Sequence, residues 1–356
     1  MEVPTNIKPS GKELKGLLRN AEKSAEIINL VYVTDKTPGI SRVRKGADFV
    51  YFRNEKKITN EEDLTRIKKL VIPPAWENVW ICSSPNGHLQ ATGFDAKNRK
   101  QYRYLSSWNE FRNQTKFYQL LAFGKKLPAL RGQLKKDLAK PGLPVEKILA
   151  ALVLIMQETS MRVGNNSYEK LYGSFGLTTL KDKHVKINGS ELRFSFKGKK
   201  GVYHDINLKS KKLAQIVKQC RDIPGSELFQ YYDEQGEKKS IDSGMVNEYI
   251  KNICCDNFTT KDFRTWLGSV FAIEALKESG DPGTDSGKKE KMLRALDAVA
   301  KRLGNTRTVC KKYYVHPGIL TLYTNGELRK FLGINNASQE NFSEAECVLL
   351  KILQTM

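Results

Sequence analysis

Apolar residues at helical spacing open the chain: Leu14, Leu17, Leu18, Ala21, Ala25 and Ile28 predict an amphipathic helix within residues 11–33. From Asp48 to Tyr104 the period shortens. Phe49-Val50-Tyr51-Phe52 and Val79-Trp80-Ile81-Cys82 read as strands, with Pro73-Pro74 and Pro85-Asn86-Gly87 as turns between them. A small, mostly β unit follows. Helical texture returns near Trp108. Phe111 to Leu121 predicts one helix, and Pro128 opens a second over Ala129–Leu138. Pro141-Gly142-Leu143-Pro144 breaks the chain before Val145–Met156, which is apolar nearly all round and hence a buried helix.

The span from His184 to Leu208 is the clearest β segment. Asn188-Gly189 predicts a two-residue hairpin turn, and Leu192, Phe194 and Phe196 alternate with polar neighbours as in a half-buried strand. Gly198-Lys199-Lys200-Gly201 is a second turn before Val202–Ile206, which puts Lys199 at a hairpin tip. Helical stretches are predicted over Lys211–Arg221, Ser243–Ile253, Thr265–Lys277 and Lys289–Leu303. The last carries Met292, Leu293, Leu296, Val299, Ala300 and Leu303 on one face. Ser279 to Gly287 reads as a flexible loop without the GxxxxGK[ST] spacing of a phosphate loop. An added helix is expected within Asn335–Met356.

Charge narrows the choice of partner. The 356 residues include 60 Lys and Arg against 39 Asp and Glu, a net +21 spread along the whole length. Such an excess fits a solvated basic surface or a polyanionic partner, most often nucleic acid. The six cysteines, at 82, 220, 254, 255, 310 and 347, form no CxxC pair and suggest free thiols in a reducing compartment. The polar start lacks an apolar signal region, and the longest apolar run, Ile148 to Met156, is too short to span a bilayer. A cytoplasmic protein is expected.

Candidate chemistry lies in four cationic places. Gln157-Glu158-Thr159-Ser160-Met161-Arg162-Val163-Gly164-Asn165 ends the buried helix, where an arginine suits phosphate binding or simply the helix dipole. Lys199, on its tight turn, can reach a leaving oxygen or merely face solvent. Lys261-Asp262-Phe263-Arg264-Thr265-Trp266 stands near a helix start and could equally form an ion pair. Gly304-Asn305-Thr306-Arg307-Thr308-Val309-Cys310-Lys311-Lys312-Tyr313-Tyr314-Val315-His316-Pro317 sets tyrosines in a basic run. A phenol attacks poorly at neutral pH because its proton leaves near pH 10; neighbouring cations favour the phenolate and attract a phosphodiester. The four histidines, 88, 184, 204 and 316, lack metal-ligand spacing, and no acidic cluster suggests a two-metal site.

Taken in order and spacing, TSMRVGN (159–165), FKGKKG (196–201), KDFRTW (261–266) and GNTRTVCKKYYVHP (304–317), with ATGFDAKNRKQYRY (91–104), resemble the type IB DNA topoisomerases of the compact bacterial and poxvirus-like branch. The resemblance runs from about Val33 to Gly333. It implies an α+β fold: a small β-rich N-terminal DNA-clamp domain, 1–106, and a larger, mainly α-helical catalytic domain, 107–356, of the tyrosine recombinase/topoisomerase IB type with a small β-hairpin sheet. It places the family's active site on Arg162, Lys199, Arg264 and Asn305, with Tyr314 rather than Tyr313 as nucleophile, nine residues after Asn305. The family commonly has histidine at the Asn305 position, so this chain departs there by a group that donates a hydrogen bond without charge. Gln101, Tyr102, Tyr104 and Tyr168 match family DNA contacts.

The activity implied is relaxation of positive and negative supercoils through a 3′-phosphotyrosyl intermediate, without ATP, metal or other cofactor. The partner expected is double-stranded DNA, bound by a monomer with no membrane association, nucleoid-associated if the source is bacterial. Two other readings stay open. A tyrosine recombinase shares the nucleophile but usually carries His-x-x-Arg where this chain has Lys261-Asp262-Phe263-Arg264. A non-enzymatic architectural DNA-binding protein would fit the charge alone.

Overall fold

A computed structural model describes residues 20–96, 98–166, 169, 173–280, 285–332 and 341–356. Residues 11–19 of the expected first helix, Tyr168, 281–284 of the expected loop and 335–340 lie outside the described residues. The chain divides into two compact units, the first ending at Lys116 and the second beginning at Phe117.

In the first unit, α1 (Ala21–Ile27) is capped by Asn20, whose side chain accepts from Glu22 and Lys23 N–H. The helix stops sooner than its apolar spacing predicts. Asn29 takes a left-handed φ of 56°, and Val31 leaves to pair with Gly87 as an isolated parallel bridge. Strands β1 (Ile40–Lys45), β2 (Asp48–Arg53) and β3 (Lys56–Lys57), helix α2 (Glu61–Lys69), and strands β4 (Glu77–Ile81), β5 (Leu89–Phe94) and β6 (Lys100–Tyr104) complete it. The strands form one antiparallel sheet in the order β3-β2-β1-β4-β5-β6, which leaves β6 at an edge. Ile40, Ile81, Ala91 and Ile67 of α2 are buried together as its core.

The unit boundary falls inside α3 (Ser106–Ala139). The two helices expected around Pro128 are one, with the proline inside it. Pro128 forfeits a bond to the carbonyl four residues back, but its flanks Leu127 and Leu130 are wholly buried and hold the helix on course.

The second unit is built around α4 (Val145–Thr159), whose run Ile148–Val153 is buried as its composition predicts. A three-stranded antiparallel sheet follows: β7 (Val185–Asn188), β8 (Glu191–Lys197) and β9 (Tyr203–Lys209). Its first turn sits one residue later than expected. Asn188 pairs with Glu191, so Gly189-Ser190 make the loop, with Gly189 at φ 56°. Glycine at the first loop position supplies the positive φ a tight hairpin requires. Leu192, Phe194 and Phe196 then face the core.

Helix α5 (Lys211–Arg221), the small hairpin β10 (Gln230–Tyr232) and β11 (Lys238–Ser240), and α6 (Ser243–Cys254) lead to α7 (Thr260–Glu278). This helix begins five residues before the expected Thr265, because Thr259 and Asp262 close a capping box around its first turn. Lys261 and Arg264 are therefore helical. After α8 (Asp285–Leu303) come α9 (Arg307–Tyr313), α10 (Pro317–Thr324), α11 (Arg329–Leu332) and α12 (Glu344–Thr355). Leu296, Val299, Leu303, Cys310, Val315 and Leu320 bury a second small core under α8–α10, with Tyr314 at its margin. Among the described residues no helix is long and apolar enough to cross a membrane.

Candidate active site

Three chain reversals and one helix bring the predicted site residues together. Helix α4 ends at Ser160, whose left-handed backbone (φ 57°) turns the chain out of the helix. Arg162 therefore stands beyond the helix end rather than on it. Lys199 opens the β8–β9 turn, where Lys200 also takes positive φ, 62°. Asn305 follows Gly304 just past α8. Arg264 lies one turn into α7.

Arg264 ties these reversals to each other. It is only 5% exposed. One terminal nitrogen donates to the Ser160 carbonyl, and the other donates to the Leu303 carbonyl at 2.7 Å. The segments that carry Arg162 and Asn305 are thus both tied to one buried guanidinium. Arg162 donates to Asn305 Oδ1 at 2.8 Å. Because arginine only donates, the asparagine atom facing it must be the carbonyl oxygen, which turns the amide nitrogen elsewhere.

Tyr314 closes the group. It is the C-cap of α9, and its ring lies under the Arg264 guanidinium, 5.2 Å from carbon to ring centroid. Its side chain shares a cleft with Arg162 and favours the charged form of that guanidinium. A cleft of about 480 Å³ is lined by Arg162, Lys199, Lys261, Arg264 and Tyr314, with Asn247 and Thr260 on its wall. A second, adjoining one takes in Asn305 together with Arg162, Lys199 and Tyr314.

The electrostatics record how closely the cations are set. Burial, and then the charge of Arg264, bring the Arg162 guanidinium down to about 10. Lys199 is exposed as a residue. Its ammonium is nevertheless lowered, first by the atoms packed around it and then by Arg162, with smaller contributions from Lys200 and Lys261. Both shifts express first the cost of burying a charge and then that of setting like charges close together. Among the described residues no group of three or more His, Cys, Asp or Glu is placed to hold a metal ion.

Two neighbours were not among the candidate site residues. Lys261 precedes Arg264 by one turn and shares its cleft. His204 stacks on Phe196, with ring centroids 5.1 Å apart. It fills the space beside Gly198 and Gly304, where an added Cβ would come within 2.6 Å of its ring. It thereby wedges the Lys199 turn against the Asn305 loop. Burial and the two arginines lower its pKa, which favours the neutral ring. Its signal lay in β9, where it alternates inward with Ile206 and Leu208.

In the first unit the candidate DNA contacts divide. Tyr102 and Tyr104 stack at 6.0 Å on one face of β6 and are 49% and 39% exposed. Tyr104 is backed by His88, itself stacked on Tyr32 and edge-on to Trp108. Gln101 alternates to the other face, where its amide donates to Asp95 at 2.9 Å.

Comparison with known proteins agrees across both units. The family described as "Eukaryotic DNA topoisomerase I, catalytic core" matches residues 105–329. "Bacterial DNA topoisomerase IB, N-terminal domain" matches residues 48–95. The chain is 34% identical to the DNA topoisomerase 1B of Acanthamoeba polyphaga mimivirus over 296 residues, 81% of this chain and 88% of that protein. It is 24% identical to the DNA topoisomerase I of Monkeypox virus and to the DNA topoisomerase 1B of Vaccinia virus (strain Copenhagen) over 254 residues, 71% of this chain and 76% of each relative. A basic α+β chain with this motif order and this similarity over most of its length belongs to the type IB DNA topoisomerases, and is an enzyme of that class.

Proposed function

We propose that the enzyme relaxes supercoiled duplex DNA by transesterification at Tyr314. The phenolic oxygen gives up its proton to solvent and attacks a backbone phosphorus, a 3′-phosphotyrosyl bond forms, and the bond from phosphorus to the 5′ oxygen breaks. Lys199 donates the proton that lets the 5′-hydroxyl leave. Arg162, Arg264 and the amide N–H of Asn305 hold the equatorial oxygens of the phosphorane, whose extra negative charge their donors meet in place. The nicked strand turns about its partner and the 5′-hydroxyl reattacks, so the phosphodiester energy is conserved and neither ATP nor a metal is called for. The second unit serves as a catalytic domain of the kind shared with tyrosine recombinases. The first contributes duplex contacts through Tyr102 and Tyr104, and the protein acts as a monomer in the compartment that holds its DNA.

One observation carries this reading. Four polar side chains from separate elements, Arg162, Lys199, Arg264 and Asn305, gather around Tyr314. The test is to incubate supercoiled plasmid with enzyme in chelator without nucleotide, trap the adduct by denaturation and map the modified residue. Adduct on Tyr314 is expected. Tyr314→Phe should keep duplex affinity while losing both adduct and relaxation; unchanged relaxation by that variant overturns the assignment.

A further inference from the structure

Tyr314 is held by its backbone as well as its ring, and the holder is α7. Gly268 lies four residues after Arg264, on the same face of that helix. A Cβ at this position would lie 2.7 Å from the Tyr314 carbonyl oxygen and 2.9 Å from the Tyr314 Cβ. The helix and the Tyr314 backbone therefore touch in a way that only glycine permits. The next residue, Ser269, is wholly buried. Its hydroxyl donates to the Tyr314 carbonyl at 3.3 Å and accepts from the His316 N–H at 3.0 Å. Tyr314 has already left helical geometry, with φ −128° and ψ −23°. The Ser269 hydroxyl thus bridges the Tyr314 carbonyl and the N–H two residues on.

We infer that Gly268 and Ser269 are positioning residues for the transesterification: together they form the seat that fixes the Tyr314 backbone at a set distance from Arg264. The inference rests on the proposal that Tyr314 is the nucleophile. Its physical content is that one rigid helix carries both the second arginine and the support of the attacking group. The phenol is aimed by α7 rather than by the short helix on which it rides. Neither residue meets DNA in this account. Both act through Tyr314. A methyl at position 268 has to push that backbone away, and displacement of a reacting group by an ångström costs on the order of 10²-fold in rate.

The experiment is single-turnover cleavage and religation on a short duplex, with Gly268→Ala, Ser269→Ala and a control. For Gly268→Ala, both rate constants should fall roughly 10²-fold. Ser269→Ala removes two hydrogen bonds and should slow both roughly 10- to 10²-fold. Because cleavage and religation cross the same transition state, the fraction of DNA covalently bound at equilibrium should stay within about twofold, as should duplex affinity. The control is Gly124→Ala, whose methyl would meet the Trp266 ring of α7 at 2.5 Å from the opposite side. It should lower the melting temperature yet leave both rates within about twofold. Wild-type rates in Gly268→Ala, or slowing no greater than in the control, overturn the inference. Should Gly268→Ala fail to fold, Ser269→Ala decides alone, and unchanged rates overturn it. An adduct that persists in Tyr314→Phe would instead remove the nucleophile assignment on which the seat depends.

Discussion

Lys199 gives the proposed chemistry its pH signature. A general acid must hold its proton, and burial together with Arg162 lowers the pH at which this ammonium gives it up. Cleavage should therefore decline with rising pH at a point below the ordinary lysine value of 10.5. Lys199→Ala should slow cleavage by about 10²- to 10⁴-fold. A duplex with sulfur at the bridging 5′ position, whose thiolate leaves without a proton, should restore the rate and flatten the alkaline fall. Failure of that substrate to restore cleavage would remove Lys199 from the acid role. The residues themselves were legible to different degrees. Lys199 at its tip and Arg264 near a helix start could be read from turn and cap residues. The hydrogen bond from Arg162 to Asn305 spans 143 positions and has no local trace. His204 was legible by its alternation in β9, but as packing; its place between the Lys199 turn and the Asn305 loop depends on two glycines far apart in sequence.

Among elements, α7 holds the site and α12 steadies α7. Glu346 of α12 accepts from both terminal nitrogens of Arg131, at 3.0 and 2.7 Å, from Trp266 Nε1 at 2.9 Å and from the Ser343 N–H at 2.9 Å. Glu346→Ala would leave the indole N–H without its acceptor and the guanidinium with the Asn341 carbonyl alone, and should cost about 3 kcal/mol of stability. Denaturant unfolding measures this; a loss under about 1 kcal/mol would show that water replaces the carboxylate readily. The elements also show where local reading gives way. The proline in α3 predicts a helix start, yet burial of its flanks carries the helix through. Thr259 and Asp262 spell a capping box that places the α7 start correctly, whereas apolar spacing alone places it five residues late. In the β7–β8 hairpin the alternation of apolar residues chose the facing of β8, and the glycine chose which pair of residues turned.

For the whole molecule, all four histidines have lowered pKa values with burial as the first cause, His316 the furthest, to about 4. The unfolded chain takes up these protons near pH 6.5, while the folded chain resists until lower pH. The stabilisation is therefore complete above about pH 6.5 and is lost as pH falls toward 4, with His316 alone accounting for about 3 kcal/mol at most. Chemical denaturation at pH 7.5 and pH 5 should show the decline, and His316→Gln should reduce it. Equal stability at the two pH values would contradict the buried, neutral state. The net +21 predicts duplex affinity that falls steeply with salt, with a slope near 0.9 for each phosphate neutralised. A filter-binding series in potassium chloride measures that slope, and a flat response would exclude phosphate contacts as the main source of affinity.

The tie from Arg264 to the carbonyls of Ser160 and Leu303 has a thermodynamic consequence of its own. It keeps two guanidinium groups close enough to repel each other, and a tetrahedral oxyanion bound between them would relieve that repulsion. Sulfate or vanadate should therefore act as stabilisers as well as competitors. Each should raise the melting temperature in step with its occupancy, and the rise should shrink when Arg162 is replaced by alanine.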